Sequence, residues 1–72
     1  MYKLFIDKYT GKQYLVPTIQ TRATVYQYPA NCKVWSYDQS SSCSRHDIGS
    51  VCFKTRSNLS SWLEMMNLEE VK

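Results

Sequence analysis

Alternation of apolar and polar side chains is the strongest pattern in the chain, and it runs over residues 19–28. Odd positions there carry small or apolar side chains such as Val25, while even positions carry polar, basic and aromatic ones such as Arg22 and Tyr26. A period of two residues is that of a strand with one face on a core and the other in water. The pattern therefore predicts a half-buried strand over residues 19–28, with Val25 facing inward.

Two shorter segments before this strand have strand composition as well. Residues 2–6 and 13–16 are rich in aromatic and branched side chains, and a polar stretch separates them. Gly11 lies in that stretch and can adopt a positive φ, so we expect a turn there and an antiparallel hairpin. Pro17 lacks a backbone N–H donor and is expected at an edge or a bulge.

Beyond the long strand, the chain is expected to form two more strands around a loop. Residues 29–31 contain Pro and Asn and predict a turn, after which residues 32–37 alternate again. Residues 38–49 are rich in serine and predict a long irregular loop. Residues 50–55 then predict a last strand, because Val and Phe recur there at a spacing of two.

The period changes near the C-terminus, where apolar residues recur at the spacing of an amphipathic helix. The stripe consists of Leu59, Trp62, Leu63 and Met66. Ser57 is a suitable N-cap because its hydroxyl can accept from a first-turn amide, and Asn67 suits the C-cap. We therefore predict a helix from about Asn58 to Asn67, followed by a tail that docks through Leu68 or Val71.

Together these elements predict an α+β fold. A helix with one apolar stripe must bury it, and the only surface that so short a chain offers is a face of the sheet. We expect one domain over residues 1–72, a meander of four or five antiparallel strands packed against one C-terminal helix. The sequence does not fix the register, so Trp35 and Tyr37 can lie under the helix beside Trp62 or on the outer face.

Composition limits the class of protein. The chain has 72 residues, of which 43% are apolar and 21% charged, as expected of a globular domain with a thin core. Aromatic residues make up 14%, and the formal charge of +3 is mildly basic. No apolar run is long enough for a membrane span, and Asp7 interrupts the N-terminal run before it resembles a signal peptide. The expectation is a cytoplasmic protein without membrane contact.

Three cysteines and one histidine are candidates for a metal or thiol site. An odd cysteine count favours free thiols in a reducing compartment, although a disulfide between Cys32 and Cys52, or between Cys43 and either of them, stays open. Cys32, Cys43, His46 and Cys52 also form a Cys₃His set, a composition that zinc accepts. Structural zinc sites usually bring their ligands in close pairs, however, so we expect no metal and no cofactor.

Catalysis is not expected. Cys43 and His46, or His46 and Asp47 beside the serines, contain the residue types of an acyl-transfer site. A base must be oriented by a third group on a rigid frame, and a serine-rich loop is a poor frame. The prediction is therefore a protein that is not an enzyme.

The predicted outer face of the sheet is the better candidate for a functional surface. If the strands at 19–28 and 32–37 pair, their aromatic and basic side chains form one patch. The patch consists of Arg22, Tyr26, Tyr28, Lys33, Trp35 and Tyr37. Aromatic and arginine residues dominate protein-binding surfaces, and aromatic residues flanked by positive charge also stack the bases of single-stranded nucleic acid.

The sequence thus predicts a non-enzymatic interaction protein that blocks or modulates a larger protein partner. Its small size and composition are typical of phage or mobile-element inhibitors of host machinery or defence. The alternative is a nucleic-acid-binding module that uses the basic, aromatic sheet face for single-stranded DNA or RNA. A homodimer is also open, because a small sheet has free edges.

Overall fold

Antiparallel strands form most of the structure. The computed structural model describes residues 2–18, 22–35, 40–41 and 43–71. Its elements, in chain order, are β1 (Tyr2–Asp7), β2 (Gln13–Pro17), β3 (Ala23–Tyr28), β4 (Val34–Trp35), β5 (Ser40–Ser41), β6 (His46–Val51), α1 (Arg56–Met65) and β7 (Leu68–Glu70). The main sheet has five strands in the order β6-β3-β2-β1-β7, and β4 pairs with β5 in a separate ribbon. The predicted α+β fold, an antiparallel sheet packed with one C-terminal helix, is confirmed.

The predicted hairpin between β1 and β2 is present. Leu4 lies opposite Leu15 in its register, and the turn is stabilised locally because the Asp7 carboxylate accepts from the backbone N–H groups of Tyr9 and Thr10 at 2.8 and 3.1 Å. Gly11 has the expected positive φ of 78°. These two backbone hydrogen bonds hold the pKa of Asp7 below its ordinary value.

The helix begins two residues earlier than predicted. Thr55, and not Ser57, is the N-cap, and its side chain accepts from the backbone N–H of Asn58. The helix ends at Met65 with Met66 as the C-cap, and Asn67 follows in the left-handed region with φ of 59°. The chain therefore turns sharply at Asn67, as helices commonly do at a residue in this conformation.

The apolar stripe of the helix packs on one face of the sheet, as predicted. We call this face the helix side. Its buried residues are Phe5, Tyr14, Val16, Val25, Phe53 and Leu68, and all four stripe residues pack against them. Phe53 and Trp62 meet edge to face, with ring centroids 5.6 Å apart. This arrangement is favourable for aromatic pairs and fixes the helix over the sheet.

The opposite face of the sheet is covered too. Leu15 points away from its neighbours Tyr14 and Val16, as side chains of adjacent strand residues do, and it is buried in a second cluster with Tyr28 and Cys32. We call this face the arm side, and we use the name arm for the described residues 32–35, 40–41 and 43, of which Cys32, Val34 and Cys43 pack on this cluster. β2 is thereby buried on both faces, since four of its five residues are buried.

A disulfide between Cys32 and Cys43 closes the arm. The expectation of three free thiols is therefore wrong for these two residues, and Cys52 is the free cysteine. The pair is one of those that the sequence left open. Spacing alone could not select it, since the arm must fold back before the two residues approach each other.

Three expectations about the second half of the chain are wrong in detail. Within the predicted strand 32–37, Val34–Trp35 pairs with β5 and not with β3, and residues 36–37 lie outside the described residues. The strand beside β3 is β6, and most of it, residues 46–49, lies in the predicted loop; only Ser50 and Val51 belong to the predicted strand 50–55, and they pair with Thr24 and Ala23. Leu68–Glu70 forms β7 beside β1 and not a tail, and the buried Leu68 joins the core on the helix side. Residues 19–21 of the predicted long strand lie outside the described residues.

A membrane-spanning helix is not found in the part of the chain that the structure describes. The ten-residue α1 is far shorter than the roughly 20 residues that a bilayer core requires.

Candidate functional site

An arginine stacked on a tyrosine is the first unusual contact on the arm side. The guanidinium of Arg45 lies 4.1 Å from the centre of the Tyr26 ring, within the range of a cation–π interaction. Arg45 directly precedes β6, and β6 pairs with β3, which carries Tyr26. The pairing of these two strands therefore brings the contact together.

Tyr2 supports this contact from the other side. Its ring centre lies 6.0 Å from that of Tyr26, and its hydroxyl donates to the carbonyl oxygen of Thr24 at 2.8 Å. Burial, and then the nearby Tyr26, raise the pKa of Tyr2, while the charge of Arg45 opposes the rise. Tyr2 thus stays neutral and holds its partner ring in place.

A second cation covers a second aromatic ring on the arm. The Lys33 ammonium lies 5.2 Å from the centre of the Trp35 ring. Val34, between them, packs on the arm-side cluster, so alternation along β4 turns Lys33 and Trp35 the other way, toward solvent. Trp35 is half-buried and Lys33 is exposed. We refer to Arg45 on Tyr26 and Lys33 on Trp35 as the cation–aromatic pairs.

The disulfide sits next to both cation–aromatic pairs. Cys32 directly precedes Lys33, and Cys43 lies two residues before Arg45. The side-chain amide of Gln13 donates to the carbonyl oxygen of Cys32, which joins the start of the arm to β2. The disulfide and this hydrogen bond therefore restrict the positions of both cations.

The structure divides the six predicted surface residues. Tyr26, Lys33 and Trp35 take part in the cation–aromatic pairs. Arg22 is exposed, but its guanidinium donates to the carbonyl oxygen of Ser50 at the end of β6. The exposure predicted for Tyr28 is wrong, because the arm covers it and leaves it 1% exposed. Tyr37 lies outside the described residues.

Arg45 is absent from the binding surface that the sequence predicts. It lies in the segment predicted as an irregular serine-rich loop, and β6 shows no clear alternation because nearly all of its residues are exposed. A strand at a sheet edge has only one neighbour and little need for an apolar face. The proximity of Arg45 to Tyr26 becomes visible only when β6 is placed beside β3.

The alternative zinc site loses two of its four predicted ligands. Cys32 and Cys43 are bonded to each other, and zinc binds thiolates, which a disulfide does not provide. That leaves His46 and Cys52 of the predicted set. The described residues contain no group of three or more His, Cys, Asp or Glu side chains placed to hold a metal ion. The disulfide also removes the Cys43 thiol as a nucleophile.

The edge of the stacked Arg45 guanidinium has the chemistry to bind a carboxylate. A guanidinium that stacks on a ring keeps the N–H donors at its edge, which match a carboxylate in a two-point hydrogen bond. The same stacking covers one face of the Tyr26 ring, while the ring also packs on the arm-side cluster.

Comparison with known proteins identifies no relative: no protein-family model matches the chain, and neither a curated protein nor a solved structure matches it.

Proposed function

We propose that this protein is a non-enzymatic binding module that docks on a larger protein through the cation–aromatic pairs. The observation that carries the proposal is the stacking of Arg45 on Tyr26 at 4.1 Å. Trp, Tyr and Arg are the residue types that contribute most binding energy at protein interfaces. Here they are held by strand pairing and by a disulfide, so binding orders few additional side chains.

Acidic groups on the partner fit this surface. Two cations are presented on rings, and the chain has a formal charge of +3. Opposite charges accelerate association and select partners. The finer form of the proposal, an inhibitor of phage or mobile-element type that blocks its partner, is supported by size and composition alone.

The positions of the candidate catalytic residues support the proposal that the protein is not an enzyme. Cys43 is in a disulfide. His46 is exposed on the edge strand β6, where water reaches it freely. A nucleophile and its oriented base are therefore not brought together by these residues.

The disulfide also bears on the cellular compartment that the sequence predicts. Disulfides persist in oxidising compartments and are rare in the cytosol. The cytoplasmic location stays a prediction, but the cysteine argument for it is lost with the bonding of Cys32 to Cys43. The homodimer also stays a prediction.

Affinity capture from the native cell, with covalent cross-linking and mass spectrometry, tests the proposed function. Wild type is compared with Arg45→Ala and with Arg56→Ala, which removes the same charge from the helix. We expect one protein partner to be captured by wild type and by Arg56→Ala and lost with Arg45→Ala. Equal capture by all three chains would contradict a role for Arg45.

A second assay separates the nucleic-acid alternative. Labelled single-stranded DNA and RNA are titrated with the protein at low salt and again at higher salt, because phosphate contacts weaken steeply as salt rises. We expect no binding that depends on Tyr26. A salt-sensitive complex that is lost with Tyr26→Ala would favour the nucleic-acid function over the protein-binding one.

A further inference from the structure

A groove on the helix side is separate from the cation–aromatic pairs. It has a volume of about 460 Å³ and runs along α1 from Arg56 to Leu63, over Lys3 and Phe5 of β1 and Glu70 of β7. This volume lies within the range of roughly 300–1,000 Å³ that is typical of small-molecule sites.

The groove exists because the helix covers the sheet incompletely. No residue of α1 is buried. The ring contact between Trp62 and Phe53 holds the helix close to the residues that directly follow β6. An open space remains between the helix and β1, and Leu59, Leu63 and Phe5 line it, so the floor is apolar.

The rim of the groove is positively charged. It carries Lys3, Arg56 and Glu70, which gives two cations against one carboxylate. Glu70 is already engaged, because its oxygen lies 3.7 Å from the Lys3 ammonium. Among the described residues Arg56 forms no ion pair, and the first turn of α1 carries no acidic side chain to neutralise it. An anionic head group therefore complements the rim.

Backbone hydrogen bonding decides between a peptide and an acyl chain. The outer edge of β1 is occupied, because Phe5, Ile6 and Asp7 pair with β7 and the Val71 N–H donates to the Leu4 carbonyl oxygen at 3.0 Å. The strand beneath the groove, β1, thus has β2 on one side and β7 on the other, so the N–H and C=O groups of an extended peptide lying over it would find no free strand partner there, which is costly. An acyl chain has no such groups to satisfy.

We propose that this groove binds a carboxylate attached to an unbranched acyl chain, with the chain on Phe5, Leu59 and Leu63 and the carboxylate on Arg56. The site is independent of the cation–aromatic pairs, which lie on the arm side. It adds a small amphiphilic ligand to the proposed protein partner.

Nuclear magnetic resonance titration of the whole protein tests the proposal. The probes are sodium decanoate and decyltrimethylammonium, which share the chain length and differ in the sign of the head group, both below their micelle-forming concentrations. We expect saturable shifts of the Phe5, Leu59 and Leu63 amide signals with decanoate. The cationic probe is expected to bind at least about fivefold more weakly, because its head group faces Arg56.

Two pairs of variants locate the site. Ser60 lines the groove and Ser61 does not, while both are exposed. Ser60→Phe is expected to fill the groove and abolish binding, and Ser61→Phe to leave it unchanged. Arg56→Gln is expected to weaken decanoate binding by about fivefold or more, whereas Lys12→Gln, at the hairpin turn, leaves it unchanged.

Equal affinity for the two head groups overturns the proposal, as does the absence of saturable shifts at the groove. Binding that survives Ser60→Phe in a folded protein overturns it as well. Arg45→Ala is expected to bind decanoate like wild type, so a failure of the proposed protein-binding surface and a failure of the groove give different results.

Discussion

The two sides of the sheet are stabilised in different ways. On the helix side, α1 follows β6 by only a short connection and covers the sheet with four apolar residues at helical spacing. On the arm side, Cys32, Val34 and Cys43 pack with Leu15 and Tyr28, and a disulfide joins the two cysteines. Local periodicity specifies the first side, and a covalent link between residues 11 apart in sequence secures the second.

We expect the two sides to contribute differently, one mainly to the stability of the fold and the other mainly to binding. The helix side holds the larger cluster of buried residues, so it should dominate the free energy of unfolding. The arm side holds the smaller cluster and both cation–aromatic pairs. We therefore expect changes on the helix side to act on the whole fold, and changes on the arm side to act first on the proposed binding surface.

The largest effect is expected from Phe53→Ala on the helix side. Phe53 is 8% exposed and contacts Trp62, so its removal leaves a cavity and should lower the free energy of unfolding by about 3–5 kcal/mol. Urea denaturation followed by tryptophan fluorescence measures it. Ile48→Ala, at a side chain that is 42% exposed, is the control and should cost less than about 1 kcal/mol. A similar cost for both variants would contradict the burial of Phe53 in the helix-side cluster.

Opening the disulfide is expected to have the next largest effect. The double variant Cys32→Ser/Cys43→Ser releases a loop whose ends are 11 residues apart and should lose about 2–3 kcal/mol of stability. Hydrogen exchange of Val34 and Arg45 should accelerate more than that of Val16 and Val25. Cys52→Ser is the control. Uniform acceleration at all four amides would contradict the separate anchoring of the arm.

Helix capping gives a smaller effect that distinguishes the observed start of α1 from the predicted one. Thr55→Ala should cost about 1 kcal/mol, because the Asn58 N–H loses its acceptor. Ser57→Ala should change stability by less than about 0.5 kcal/mol. Thermal unfolding followed by circular dichroism compares the two, and the reverse order of effects would place the cap at Ser57.

The smallest effect is expected at the hairpin turn, which lies outside the comparison of the two sides. Asp7→Ala removes the acceptor of the Tyr9 and Thr10 N–H groups and should lower Tm modestly near neutral pH. Because folding lowers the pKa of Asp7 below 3.8, its contribution is complete above about pH 4 and is lost as pH falls through the folded-state pKa. The Tm difference from wild type should therefore shrink at about pH 2. A gap that persists there would exclude the carboxylate as its cause.

The sequence was sufficient for the helix side. The period of Leu59, Trp62, Leu63 and Met66 identified both the helix and its buried face, and these residues pack as expected. The β1–β2 hairpin was equally readable from its turn and its branched residues. Both features are indicated by patterns among residues close in sequence.

The arm side could not be read in the same way. Alternation over residues 19–28 predicts a strand with one solvent-exposed face, but the arm covers that face at Tyr28 and buries its side chain. Residues 46–49 of β6 and all of β7 were not predicted as strand, because edge strands of few or exposed residues need no apolar period. Three residues of the predicted surface, Tyr26, Lys33 and Trp35, take part in the cation–aromatic pairs. The contact of Arg45 with Tyr26 depends on the pairing of β6 with β3, which no local pattern indicates.

Counting and locating free thiols tests most directly the claim that a disulfide fixes the arm beside both cation–aromatic pairs. The purified protein is alkylated in denaturant without reductant, digested, and analysed by mass spectrometry. We predict one label per chain, on Cys52, together with a peptide in which Cys32 and Cys43 remain joined. Labels on all three cysteines, or a disulfide that includes Cys52, would contradict the account.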